Sequence, residues 1–133
     1  IVPYTTDVPT EKMRAWIEAM KASGIGLCVV SNSKRPRVVT FCKAYGLDCI
    51  THAKKPFSRG IRACLTRYAL DPAACALVGD QIFTDRLAAG LYGIPCLYTM
   101  PRGGDHQRGV QFKRRFEPYW LDRYYQKGGR LYE

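Results

Sequence analysis

The run LVGDQIFTD, Leu77 to Asp85, ends an apolar stretch on two carboxylates, Asp80 and Asp85, five positions apart. Elsewhere IGLCVVSN, Ile25 to Asn32, closes on Ser31 and Asn32, and Lys54 and Lys55 stand just ahead of Pro56. A hydroxyl, an ammonium and a pair of carboxylates form a set suited to handling a phosphate. The hydroxyl donates a hydrogen bond to a phosphoryl oxygen and the ammonium offsets its charge. Two carboxylates would repel the same group unless a divalent cation stood between them. Mg2+ meets that need, because it takes one or two carboxylates, keeps several waters and accepts phosphate oxygens. Asp80 and Asp85 are therefore the candidate metal ligands. Ser31, Asn32 and Lys55 are the candidate phosphate-handling residues, with Lys54 second to Lys55.

These side chains can act together only if the fold brings them to one place. Thr10 can cap a helix carrying Met13, Trp16, Ile17 and Met20, which Gly24 ends. IGLCVVSN is apolar on both faces, as a parallel strand covered by helices must be. A second helix carries Val38, Val39, Phe41 and Cys42 to Gly46, and a short strand lies near Cys49 to Thr51. KKPFSRGIRACLTRYAL supplies a third helix, with Ile61, Leu65 and Tyr68 on one stripe. CALVGD is the next buried strand, TDRLAAGLYG a short helix closed by Gly93, and IPCLYT the last strand. The alternation is that of an α/β fold, a Rossmann-like parallel sheet with helices on both faces, in which ligands bind at the carboxyl ends of the strands. All three polar groups fall at such ends.

At 133 residues the chain fits one domain, expected to span residues 1–133, with 110–127 as a basic aromatic helical segment broken near Pro118. Hydrophobic residues make up 47% and charged residues 24%, which argues against disorder, and no apolar run is long enough to span a bilayer. The net charge of +10 is concentrated at Lys34–Arg37 and Arg102–Arg130 and favours an anionic partner. The six cysteines show neither CxxC nor zinc spacing, so they read as small core residues in a reducing, cytoplasmic setting. The absence of an initiating methionine suggests that Ile1 is not the native start.

The combination of VVSNS, AKKP and GDQIFTD resembles the haloacid dehalogenase superfamily, specifically its capless class IIIA, YqeG-like branch, which includes phosphatidylglycerophosphate phosphatases. The resemblance runs from Ile1 to about Pro101. It implies that Ser31 is the second-motif hydroxyl, Lys55 the third-motif lysine, and Asp80 and Asp85 the acidic pair that binds Mg2+. It also implies a first motif, Asp-x-Asp, whose first carboxylate is the nucleophile and whose second is the general acid/base. No Asp-x-Asp occurs in this sequence. The resemblance therefore implies that the chain starts just after its nucleophile, that the first, central strand of the sheet is missing, and that the chain as it stands is inactive. The implied activity of the extended protein is phosphomonoester hydrolysis through an aspartyl-phosphate. Asp85 would either ligate Mg2+ or orient Lys55 and a bound water.

Each candidate also has an ordinary structural role. Ser31 and Asn32 can cap a helix, Asp85 sits where a helix dipole favours a carboxylate, and Lys55 can be a solvated charge. His52 and His106 have no ligand-spaced neighbours and read as loop residues, and Gly103 and Gly104 give a loop its freedom rather than a phosphate cradle. The tail stripe Phe112, Phe116, Tyr119 or Trp120, and Tyr124, set among Lys113, Arg114, Arg115 and Arg123, suits packing against its own domain. It equally allows peripheral contact with an anionic membrane. A phosphorylated substrate, including an anionic phospholipid, is the expected partner, and no nucleic acid is expected because no RNA-binding signature is present. The alternatives are a silent phosphate-binding or interaction module and a basic nucleic-acid-binding domain.

Overall fold

The computed structural model describes residues 8–34, 36–57, 59–100 and 108–128, the last segment with side chains from 111 onward. His106, Gly103 and Gly104 lie outside the described residues. The chain divides into two units, Ile1–Gly103 and Gly104–Glu133.

The first unit alternates helices and strands in the expected order: α1 Glu11–Ala22, β1 Cys28–Val30, α2 Pro36–Ala44, β2 Asp48–Ile50, α3 Arg59–Arg67, β3 Leu77–Gly79, α4 Leu87–Gly90 and β4 Cys96–Tyr98. The Thr10 side chain accepts from the Met13 N–H at 3.2 Å, so α1 begins at the predicted cap. Gly24 and Gly93 follow their helices with φ of 74° and 67°, the left-handed conformation that glycine reaches without steric cost.

Both strand pairings are parallel, and the strands form two separate pairs. β1 pairs with β2, Cys28 opposite Asp48, and β3 pairs with β4, Leu77 opposite Cys96. Among the described residues no strand joins the two pairs by backbone hydrogen bonds. Each strand holds only three residues, shorter than its apolar run, since a parallel strand extends only as far as its neighbour supplies hydrogen-bond partners. Helix α3 links the halves. Its inward Ile61 joins Ala88, Ala89 and Ile94 in the core, and Leu65, Cys75, Leu77 and Cys96 pack around them.

The six cysteines are free, with Cys42 buried and the others half-buried. Burial pushes the Cys28 thiol up to about 12, helped by the neighbouring Cys64. Cys42 is pushed to about 12 by burial and by Cys49. Thiols so placed act as small apolar groups.

The second unit contains α5 Arg108–Arg114 and α6 Glu117–Gln126. The break falls at Arg115–Phe116, ahead of the predicted Pro118, because proline is accommodated in the first turn of a helix, where its missing N–H has no partner to lose. Arg114 Nη1 pairs with the buried Glu117 Oε2 at 3.1 Å across that break, and Phe112 meets Phe116 edge-on at 5.4 Å.

Candidate active site

Ser31 and Asn32 follow β1 directly. The Ser31 N–H donates to the Ile50 carbonyl at 2.9 Å, continuing the β1–β2 ladder, and the Ser31 carbonyl accepts from the Ala53 N–H at 3.0 Å. The ends of β1 and β2 are thus tied together before the chain turns toward α3. The Ser31 Oγ accepts from the Ser33 N–H at 3.1 Å. That bond occupies a lone pair and leaves the hydroxyl proton available to another acceptor.

The Asn32 side chain clamps the backbone of Lys55. Its Oδ1 accepts from the Lys55 N–H at 2.6 Å and its Nδ2 donates to the Lys55 carbonyl at 2.9 Å. Only a primary amide can satisfy a peptide's donor and acceptor in this way, so Asn32 joins the ends of β1 and β2. The turn from β2 to Lys55 carries two non-glycine residues in the left-handed region, His52 and Lys54, each at φ 54°. Such conformations cost free energy and cluster at functional turns. Here they flank Ala53, which is buried against Gly60 of α3, and the Gly60 N–H donates to the Ala53 carbonyl at 3.0 Å.

Lys55 directs its Nζ to Asp85 Oδ1 at 2.6 Å, with side-chain exposures of 14% and 8%. Lys54, the second candidate for this role, is exposed. The Lys55–Asp85 pair crosses between the two sheets, since Lys55 follows β2 and Asp85 follows β3. Leaving either partner alone in such a setting costs about 3–5 kcal/mol, so the two residues hold one another in place.

Asp85 lies in a single π-helical turn, Ile82–Arg86, that leads into α4. The Arg86 N–H donates to the Gln81 carbonyl at 3.3 Å and the Asp85 N–H to the same oxygen at 2.8 Å. The Gln81 N–H in turn donates to Asp85 Oδ2 at 3.2 Å. Single π-turns are frequent at functional sites because the wider turn re-aims a side chain. Here it folds the Asp85 carboxylate back over Gly79, the last residue of β3. A Cβ built on Gly79 would meet the Asp85 Cβ closest of all and would lie 2.5 Å from both its Cγ and Oδ2. The absence of a side chain at Gly79 is what makes room for the carboxylate. Nearby Cys96 is pushed up by burial and by the Asp85 charge.

Ser31, Asn32, Lys55 and Asp85 thus belong to one connected set. Asp80 is half-buried at the end of β3 and is engaged within the protein. No group of three or more His, Cys, Asp or Glu that could hold a metal occurs among the described residues. The donor chemistry nevertheless suits Mg2+, which needs only one or two protein carboxylates when waters and a phosphate complete its shell. The two carboxylates differ in what they offer: Asp85 already accepts from Lys55 and from Gln81, whereas Asp80 lies at the strand end. Gly79 and Gln81 also shape the site, although neither residue type suggests phosphate chemistry. An isolated glycine at a strand end is the signal of close approach that Gly79 carries, and Gln81 carries no such signal.

Two comparisons bear on this arrangement. The family described as haloacid dehalogenase-like hydrolase matches residues 1–93. A relative, the "Probable phosphatase YqeG" of Bacillus subtilis (strain 168), is 29% identical over 128 residues, covering 96% of this chain and 74% of that protein.

Proposed function

Because this chain belongs to the haloacid dehalogenase-like hydrolases, we propose that its site serves a Mg2+-dependent phosphatase of the YqeG type, acting on a phosphomonoester, with phosphatidylglycerophosphate as the favoured substrate. The observation that carries the reading is the Lys55–Asp85 contact at 2.6 Å together with the double clamp of Asn32 on Lys55. Three short motifs far apart in sequence meet as one hydrogen-bonded unit at the ends of three strands.

Ser31 donates its hydroxyl proton to a phosphoryl oxygen, while its lone pair remains on the Ser33 N–H. Lys55 places a positive charge between the phosphate and the attacking carboxylate, lowering their repulsion as the P–O bond forms. Asp85 and Asn32 are positioning residues, fixing the ammonium and the backbone of Lys55. Asp80 is the residue to hold Mg2+, with Asp85 contributing through Lys55 or through a bound water. When bound, the ion offsets phosphate charge.

The sequence contains no Asp-x-Asp. This reading assigns attack to a carboxylate on a preceding segment, which forms an aspartyl-phosphate as the alcohol leaves; water then releases inorganic phosphate and regenerates the carboxylate. The 133 residues alone are expected to show no turnover. The second unit carries exposed rings, Phe112 and Trp120, in a sequence that also holds Lys113 and Arg115, a composition suited to a lipid surface.

The test is Mg2+-dependent phosphate release by the chain extended with an N-terminal segment bearing Asp-x-Asp. Phosphatidylglycerophosphate in mixed micelles is compared with a soluble aryl phosphate. Preference for the lipid supports the full reading, and equal turnover of both removes the lipid assignment while keeping the phosphatase. A folded protein that releases phosphate from neither overturns the substrate class.

A further inference from the structure

The outer face of α3 has no part in the site described above. Ile61 faces the core, while Arg59, Arg62, Thr66 and Arg67 lie on exposed turns of the same helix. They line an open recess of about 640 Å3 with Ala63. A second recess of about 400 Å3 adjoins it through Arg59 and Ala63 and extends to His52 and Lys54. Neither includes Ser31, Lys55 or Asp85. The helix carries no acidic residue. Arg62 Nε donates to the Tyr92 hydroxyl at 3.2 Å, and among the described residues none of Arg59, Arg62 and Arg67 pairs with a carboxylate. Three guanidinium groups are therefore spread along about 12 Å of helix with no carboxylate partner among the described residues.

We propose that this face docks the chain on an anionic phospholipid bilayer, with Arg59, Arg62 and Arg67 taking lipid phosphates. Charge complementarity is the first support, since basic residues near an anionic leaflet attract it additively. A single free phosphate is a poor match, because a row of three guanidiniums over that length engages several phosphates at once, as a headgroup layer presents them. Single-stranded nucleic acid is a poorer match: among the described residues no Phe, Tyr or Trp side chain lines either recess, Phe57 standing ahead of the helix and Tyr92 meeting Arg62 through its hydroxyl, and sequence-tolerant strand binding depends on stacking. Exposed apolar side chains stand at both ends of the helix, Phe57 at 73% and Leu70 at 42%. Apolar groups beside a basic row are the composition of a peripheral interfacial contact. The inference requires no turnover and stands or falls apart from the phosphatase reading.

The test is co-sedimentation of the full chain with vesicles of phosphatidylcholine containing about one quarter phosphatidylglycerol. Arg59→Gln combined with Arg67→Gln is the variant, because both side chains are exposed and neither belongs to the site. Each lost charge should weaken partitioning about fivefold, so the pair should lose about 25-fold, and vesicles of phosphatidylcholine alone should bind neither protein. An unchanged vesicle affinity in the double variant, with the fold intact by circular dichroism, overturns the proposal. Displacement by inorganic phosphate far beyond that by chloride at equal ionic strength also overturns it, in favour of a discrete phosphate site. So does binding of single-stranded RNA that the two substitutions abolish in a protein that ignores anionic vesicles.

Discussion

Gly79→Ala is a sharp test of how the site is built. The added methyl would stand 2.5 Å from Cγ and Oδ2 of Asp85, well inside van der Waals contact. Relief is available by two routes. The π-turn can carry Asp85 off Gly79, Cβ included, which breaks its 2.6 Å bond to Lys55 and leaves an ammonium only 14% exposed without its partner, at a cost of about 3–5 kcal/mol. Alternatively the β3 backbone and the π-turn can shift apart as an overpacked core does, at about 1–3 kcal/mol. The cheaper route sets the loss, so a destabilisation of about 1–3 kcal/mol is expected, which lowers the urea midpoint by roughly 1 M. The assay is equilibrium urea unfolding of wild type, Gly79→Ala, Asp85→Gly and the double variant. The nearest atom is the Asp85 Cβ, which only glycine lacks, so the second substitution should cost little in the Asp85→Gly background, and the cycle should show coupling of about 1–3 kcal/mol. A Gly79→Ala protein within about 0.3 M of the wild-type midpoint, or strict additivity in the cycle, refutes the argument that glycine is required to admit Asp85.

Asn32→Ala should remove both bonds to the Lys55 backbone and cost about 1–3 kcal/mol, with a larger loss of turnover in the extended protein than of stability; full activity would show that the clamp is dispensable. Asp80→Asn should abolish Mg2+-dependent phosphate release in the extended protein, and retained activity would remove Asp80 from the metal site. Phe112→Ala with Trp120→Ala should weaken turnover of micellar lipid more than turnover of a soluble ester; equal losses would make the rings merely structural. Cys28 and Cys42 titrate near 9.0 when unfolded and are raised to about 12 in the fold, so the unfolded chain loses protons first. Their contribution to stability is complete below pH 9 and declines as pH rises from there toward 12. Urea midpoints at pH 8 and pH 10 should show that decline, and Cys42→Ala should reduce it.

The order of elements was legible in the sequence because apolar runs that end in Gly, Ser, Asn and Asp carry both the strand and its stop. The Thr10 cap and the glycine ends at Gly24 and Gly93 are local effects of a single residue's conformation, and they were readable for that reason. The strands proved shorter than their apolar runs, and they pair two by two, since pairing depends on which neighbour is present and not on the hydropathy of one strand. Ser31, Asn32, Lys55, Asp80 and Asp85 could be selected by residue type and place, yet their division of labour could not.

Sequence alone determined the chemical inventory: a hydroxyl, an amide, an ammonium and two carboxylates at strand ends, without an Asp-x-Asp. Tertiary structure alone decided that Asn32 grips the backbone of Lys55, that Lys55 rather than Lys54 meets Asp85, and that Gly79 must lack a side chain. Those choices depend on contacts across 23 to 30 residues of chain and on a π-turn that re-aims one carboxylate, and such distances are set only when helices and strands pack.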